Sequence, residues 1–124
     1  MATVLVADDS KVQLHLLATW LREAGYNVIA AMDCMQAWSA AVRNPPDAVV
    51  LDLNMPGGSG VDVLKKIKSS LRTAHIPVLV VTANDSELEP LLKSIGAAEY
   101  LKKPVDFEQL AIVMKKLIPS PGTH

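Results

Sequence analysis

A chain of 124 residues, half of them apolar and a fifth charged, makes one ordinary domain around one core, too short to carry a separate output module and neither disordered nor membrane-embedded. Twelve Lys and Arg against thirteen Asp and Glu give a net charge of −1, without the basic excess of a nucleic-acid footprint, which argues against direct DNA binding. The single cysteine, Cys34, has no partner for an internal disulfide and no clustered Cys or His to suggest zinc, so it is expected as a small buried or half-buried apolar residue.

The N-terminus passes from Met-Ala-Thr directly into Val4-Leu5-Val6-Ala7-Asp8-Asp9, with no basic segment before the apolar run and two acids after it, so it reads as a first strand and not a signal peptide. Ser10–Ala24 follows with a helical pattern, Val12, Leu16 and Trp20 at four-residue spacing beside Leu14, Leu17 and Leu21, and Gly25 closes it. Trp20 is therefore expected in the core or at its rim. Asn27–Ala31 is a strand candidate, and a second helix over Met35–Arg43 ends before Asn44-Pro45-Pro46, whose prolines cannot continue it.

The apolar run Ala48–Leu53 reads as a strand, Val61–Ser70 as a helix and Pro77–Ala83 as another strand. No apolar stretch approaches the roughly 20 residues of a spanning helix. A helix over Glu87–Ile95 is ended by Gly96, and a short strand, Glu99–Leu101, precedes a last helix over Phe107–Leu117 with Asp106 as its N-cap. Ile118-Pro119-Ser120-Pro121-Gly122 cuts that helix off, so residues 1–118 are taken as the domain and 119–124 as a tail or the start of a linker. The strand runs are continuous and not alternating, as strands buried on both faces are. Strand and helix alternate five times, which predicts a doubly wound α/β fold: a parallel sheet with helices on both faces, joined by right-handed crossovers.

In such sheets ligands sit beyond the carboxyl ends of the strands. The first predicted strand ends in Asp8-Asp9, the third in Asp52 and the fourth in Thr82, and the fifth runs into Lys102-Lys103-Pro104. These residues should converge on one pocket. Three crowded carboxylates repel one another unless a hard divalent cation such as Mg²⁺ takes their oxygens as ligands. With a metal, a lysine and a hydroxyl around one central carboxylate, the set suits phosphoryl transfer, with Asp52 as the nucleophile. A plainer reading of Asp8 or Asp9 alone is a cap on the first helix. Gly57-Gly58-Ser59-Gly60 lacks the Gly-x-x-x-x-Gly-Lys pattern of a nucleotide cradle and reads as a flexible active-site loop.

Val6-Ala7-Asp8-Asp9-Ser10, Leu51-Asp52-Leu53-Asn54-Met55-Pro56-Gly57, Val81-Thr82-Ala83 and Tyr100-Leu101-Lys102-Lys103-Pro104 together resemble the receiver domains of bacterial two-component response regulators, specifically the single-domain chemotaxis type, over essentially the whole chain. That resemblance implies a flavodoxin-like sheet of strand order 2-1-3-4-5 and a cytoplasmic signalling switch. Asp52 would receive a phosphoryl group from a phosphohistidine of a sensor histidine kinase or histidine phosphotransfer protein. Mg²⁺ would be bound by the Asp9 and Asp52 side chains and the Asn54 backbone carbonyl, with Asp8 acting through water. Lys103 would contact the phosphoryl group and its bond to Pro104 would be cis, while Lys102 faces solvent. Thr82 would move to a phosphoryl oxygen and Tyr100 would swing inward, reshaping the surface of the fourth helix, fifth strand and fifth helix. Tyr100 as plain core-rim packing is the alternative.

The histidines His15, His75 and His124 match no role. Asn84 occupies a position that varies among receivers and influences how fast the phosphoryl group is lost. The implied protein is a switch and not an enzyme in the ordinary sense, catalysing only its own Mg²⁺-dependent phosphorylation and dephosphorylation. Its output would be a downstream protein, with homodimerisation on phosphorylation as a further option. Three rival readings stand beside it. The chain could be a receiver excised from a larger regulator or hybrid kinase. It could be a phosphatase working through an aspartyl phosphate, although those resemble Asp-x-Asp where this chain has Asp52-Leu53-Asn54. It could be a degenerate receiver, although none of the expected positions is lost.

Overall fold

The computed structural model describes residues 2–55, 57, 59–83 and 88–119. Strands and helices alternate in the order β1 (Thr3–Ala7), α1 (Lys11–Glu23), β2 (Asn27–Ala31), α2 (Cys34–Arg43), β3 (Ala48–Asp52), α3 (Gly60–Ser69), β4 (Val78–Thr82), α4 (Glu89–Ile95), β5 (Glu99–Lys102) and α5 (Phe107–Leu117). The strands form one parallel sheet in the order β2-β1-β3-β4-β5. This is the flavodoxin-like topology expected from the sequence. The expected element bounds agree to within a residue or two; Glu87, where the fourth helix was expected to begin, lies outside the described residues.

The three central strands are buried on both faces, and the core is accordingly split in two by the sheet. One layer gathers Leu5, Val49, Leu51, Val80, Leu64, Ile67 and Leu92 beneath α2, α3 and α4. The other gathers Val4, Val6, Val50, Leu79, Leu17, Leu21, Leu110 and Met114 beneath α1 and α5. Neighbouring residues of one strand thus feed opposite layers, which is why the runs are continuously apolar.

In α1 the buried face is Leu14, Leu17, Ala18 and Leu21, one stripe of a 3.6-residue helix. Val12 and Leu16 fall roughly half a turn from Leu14, and they are 69% and 47% exposed. The four-residue row seen in the sequence is therefore a surface row, and only its last member, Trp20, reaches the core rim, stacking on Phe107 with ring centroids 5.8 Å apart.

The helix ends follow local chemistry. Ser10, Asp33, Ser59 and Asp106 each accept a hydrogen bond from a free first-turn N–H. Gly25 and Gly96 close α1 and α4 at φ 103° and 128°, a left-handed backbone that a side chain would strain. The strand order places β1 and β3 side by side with their chains leaving to opposite sides, so a crevice opens at the carboxyl ends of those two strands.

Candidate functional site

Four residues meet in that crevice. Asp8 follows β1 directly and is 1% exposed, Asp52 is the last residue of β3 at 4%, and one carboxylate oxygen each from Asp8, Asp9 and Asp52 lies within 4.8 Å of the others. Asp9 is the solvent-facing member. Lys103, immediately after β5, spans the two buried acids: its Nζ donates to Asp8 Oδ2 at 3.0 Å and to Asp52 Oδ2 at 3.2 Å.

The other carboxylate oxygens are held by backbone. Ser10 N–H donates to Asp8 Oδ1 at 2.9 Å and Asn54 N–H to Asp52 Oδ1 at 3.1 Å. Asp8 itself is anchored by its own N–H to the Ala31 carbonyl at 3.0 Å. Each acid is thus aimed by the chain just beyond it, in short turns that point its other oxygen into the pocket, where Lys103 meets it. The helix-cap alternative for Asp8 or Asp9 does not hold, because Ser10 fills that place through its Oγ, which accepts from Gln13 N–H at 3.3 Å.

Burial pushes the Asp52 carboxyl above its ordinary range and the Asp8 charge adds to this, against the opposing pull of Asn54 N–H and Lys103. Burial acts on the Lys103 ammonium in the downward direction, but two carboxylate partners outweigh it and hold its pKa above the ordinary lysine value. The directions are compatible: Lys103 has two anions to itself, whereas Asp52 shares one cation with Asp8. One ammonium facing three carboxylates leaves the pocket short of positive charge, and an all-oxygen donor set of this kind fits a hard divalent cation such as Mg²⁺.

Thr82 ends β4, fully buried, and its carbonyl accepts from Lys103 N–H at 2.9 Å. The Lys103–Pro104 bond is cis, as expected, and Lys102 is exposed. Tyr100 pairs with Val80 in the sheet register, stands outside the acid cluster, half-buried, and packs on the core layer beneath α3 and α4. His15 and His75 are exposed and take no part; His124 and Asn84 lie outside the described residues. Cys34 is buried, as expected, with its thiol directed to the Met55 carbonyl at 3.9 Å.

The reading of the glycine-rich stretch as loop needs correcting at Ser59 and Gly60; Gly57 does lie between β3 and α3, and Gly58 lies outside the described residues. Ser59 is the N-cap of α3, and Gly60 is its first helical residue, not loop. A Cβ on Gly60 would lie 2.5 Å from Leu53 Cα and 2.8 Å from the Asp52 carbonyl oxygen. Its role is close packing of α3 against the end of β3. Nothing in the local sequence separates such a glycine from a flexible one.

A 2-1-3-4-5 sheet carrying three carboxylates and a lysine at its switch point defines an acid-pocket α/β domain suited to handling phosphoryl groups. The chain belongs to the response regulator receiver domain family, which it matches over residues 4–115. It is 35% identical to PilH of Pseudomonas aeruginosa over 111 residues, 89% of this chain and 92% of PilH. It is 36% identical to TcrX of Mycobacterium tuberculosis, named as a probable transcriptional regulatory protein, over 97% of this chain but 51% of that protein. The chain therefore spans about half of one relative and nearly all of the other. The receiver domain of the sensor histidine kinase PA1611 from P. aeruginosa, solved with magnesium in its active-site cleft, superposes with a TM-score of 0.87 at 26% identity, covering 96% of this chain and 98% of that one. Phosphorylation-dependent signalling is the general function of the family, its members being phosphoacceptors for histidine kinases or phosphotransfer proteins that bind Mg²⁺ in an acidic pocket. Among the described residues no helix is long and apolar enough to cross a membrane.

Proposed function

We propose that Asp52 is the phosphoacceptor of a cytoplasmic signalling switch, and that the receiver domain occupies residues 1–118 with 119–124 as tail or linker. The observation that carries this reading is the bridging of buried Asp8 and Asp52 by Lys103, with Asp52 at the carboxyl end of β3. An Asp52 oxygen attacks the phosphorus of a partner's phosphohistidine, the P–N bond breaks, and the imidazole leaves with the electron pair and takes up a proton. Lys103, freed from its partnership with Asp52, neutralises the incoming phosphoryl oxygens.

The Asp9 and Asp52 side chains and the Asn54 carbonyl, with Asp8 acting through water, are the residues that would hold Mg²⁺. Bound there, the ion would offset the negative charge gathered by three carboxylates and a phosphoryl group. The PA1611 receiver, with its magnesium in the corresponding cleft, supports this reading. The new charge of about −1.5 to −2 draws the Thr82 hydroxyl toward the phosphoryl oxygens, and Tyr100 moves into the space that Thr82 gives up. The surface of α4, β5 and α5 changes with it. That surface already carries a groove of about 390 Å³ lined by Glu89, Tyr100, Lys102, Gln109 and Ile112, a place for a downstream protein or a second copy of the chain.

The half-length match to TcrX supports an alternative in which this receiver is one part of a larger regulator or hybrid kinase, whereas PilH, covered almost completely, supports a stand-alone receiver. In either case the chain would catalyse only its own phosphorylation and dephosphorylation. An aspartyl-phosphate phosphatase is less well supported, because Asn54 stands where such enzymes have a second acid.

Intact mass and amide NMR with Mg²⁺ and a small phosphodonor or beryllofluoride test the assignment. Wild type should respond, with shifts spreading from Asp52 to Thr82 and Tyr100; Asp52→Asn should not, and Lys103→Ala should be labelled with a blunted spread. Undiminished labelling of Asp52→Asn would sink the site.

A further inference from the structure

The crossovers that keep the sheet parallel run every helix against the strands, so all five helices finish at one end of the molecule, opposite the acid pocket. That end is basic. The last turns of α1, α2, α3 and α5 carry Arg22, Arg43, Lys66, and Lys115 with Lys116, all exposed. Arg72, in the turn between α3 and β4, reaches across to the foot of α2, its Nε donating to the Val42 carbonyl at 2.6 Å. Glu23, Asp47 and Glu99 share this end, but Asp47 is turned onto Thr3 N–H at 2.7 Å and Glu99 is half-buried. Lys68 points its ammonium inward to the Ala74 and Ile76 carbonyls, and Lys93 is paired with Glu89 at 3.1 Å, so neither adds to the face. Cations remain in excess. At the pocket end, by contrast, the three clustered acids are joined by Asp33, Asp62, Asp106 and Glu108, against Lys11, Lys102 and Lys103. A net charge of −1 thus conceals two oppositely charged ends.

The preference of cations for helix C-terminal ends accounts for part of this pattern. It does not account for Arg72, which lies in a turn, or for its neighbour Leu71, which is 100% exposed. The cations come from helices on both faces of the sheet, so they are spread over a whole end of the molecule with a bare leucine among them. An extended plane of negative charge with an apolar layer just beneath it complements such a face. We propose that this end docks on a membrane surface rich in anionic lipid, with Leu71 entering the headgroup layer. A nucleic-acid duplex offers the negative charge but nothing for Leu71. The same lipid repels the acidic end, which turns the acid pocket away from the membrane and leaves it open to solution. The inference does not depend on Asp52 being phosphorylated.

Co-sedimentation of the full chain with vesicles of equimolar phosphatidylglycerol and phosphatidylcholine, beside vesicles of phosphatidylcholine alone, tests the proposal. Binding is expected to the anionic vesicles only, and it should fall away at high salt. Arg43→Gln, Lys66→Gln and Lys116→Gln should each weaken it about fivefold, and Leu71→Ser up to about tenfold. Lys11→Gln, at the acidic end, should leave it unchanged. Each of these positions is exposed, and circular dichroism checks that every variant keeps its fold. In bicelles of the same anionic mixture with a nitroxide on some headgroups, the amides of Asn44, Leu71 and Arg72 should broaden while those of Asp9 and Asn54 stay sharp. Any of four results overturns the proposal: no binding to the anionic vesicles, equal binding to the neutral ones, Leu71→Ser binding as wild type does, or broadening centred on Asp9 and Asn54. Displacement from the vesicles by a DNA duplex at matched phosphate concentration would also overturn it, assigning the face to nucleic acid instead.

Discussion

At Asp52 the chain holds a carboxylate where burial and the Asp8 charge both oppose ionisation, with Lys103 and Asn54 N–H only partly offsetting them. Because its pKa in the folded chain lies above the ordinary 3.8, the native state keeps this proton to higher pH than the unfolded chain does. The ionised form therefore lowers stability progressively as pH rises from the ordinary carboxylate value through the folded one. Asp52→Asn removes that burden. In urea unfolding without Mg²⁺, the variant should be more stable than wild type at pH 7, with the gap narrowing as pH falls toward 4; an equal gap at both pH values would place the effect elsewhere. Lys103 works the other way round: its raised pKa gives stability that is complete below the ordinary 10.5 and is lost only as pH climbs through the folded value.

At the scale of elements, the start of α3 bears on the site and the start of α5 on stability. Asp106 caps α5 through the N–H groups of Glu108 at 2.9 Å and Gln109 at 3.4 Å, and Asp106→Ala should cost about 1 kcal/mol in chemical denaturation without altering labelling of Asp52. Gly60→Ala meets backbone, which cannot turn aside as a side-chain tip can. It should cost roughly 1–3 kcal/mol and, by displacing the end of β3, should also slow phosphorylation. Measuring both on one sample separates the two: a stability loss with an unchanged labelling rate would show that α3 and β3 move without disturbing Asp52.

For the molecule as a whole, an unbalanced acid pocket should couple folding to cation binding. A divalent cation that binds only the folded chain should stabilise it by about 2.7 kcal/mol at a hundredfold excess over its Kd, so Mg²⁺ should raise the midpoint of thermal unfolding of wild type and much less that of Asp9→Asn. The sequence by itself determined the succession of elements and the polar residues that end the strands, because continuous apolar runs, capping residues and glycine stops are local signals within a few neighbours. The family motifs likewise lie in short contiguous stretches, which is why the acid cluster could be named before any geometry was known. Tertiary structure decided the rest: that Ser10 and not an acid caps α1, that Val12 and Leu16 face solvent, that Gly60 is a packing residue, and that α2 and α3 leave a groove between them. The reason is distance along the chain. Lys103 meets Asp8 across 95 positions and Asp52 across 51, and pairings of that range exist only once the sheet has brought its strand ends together.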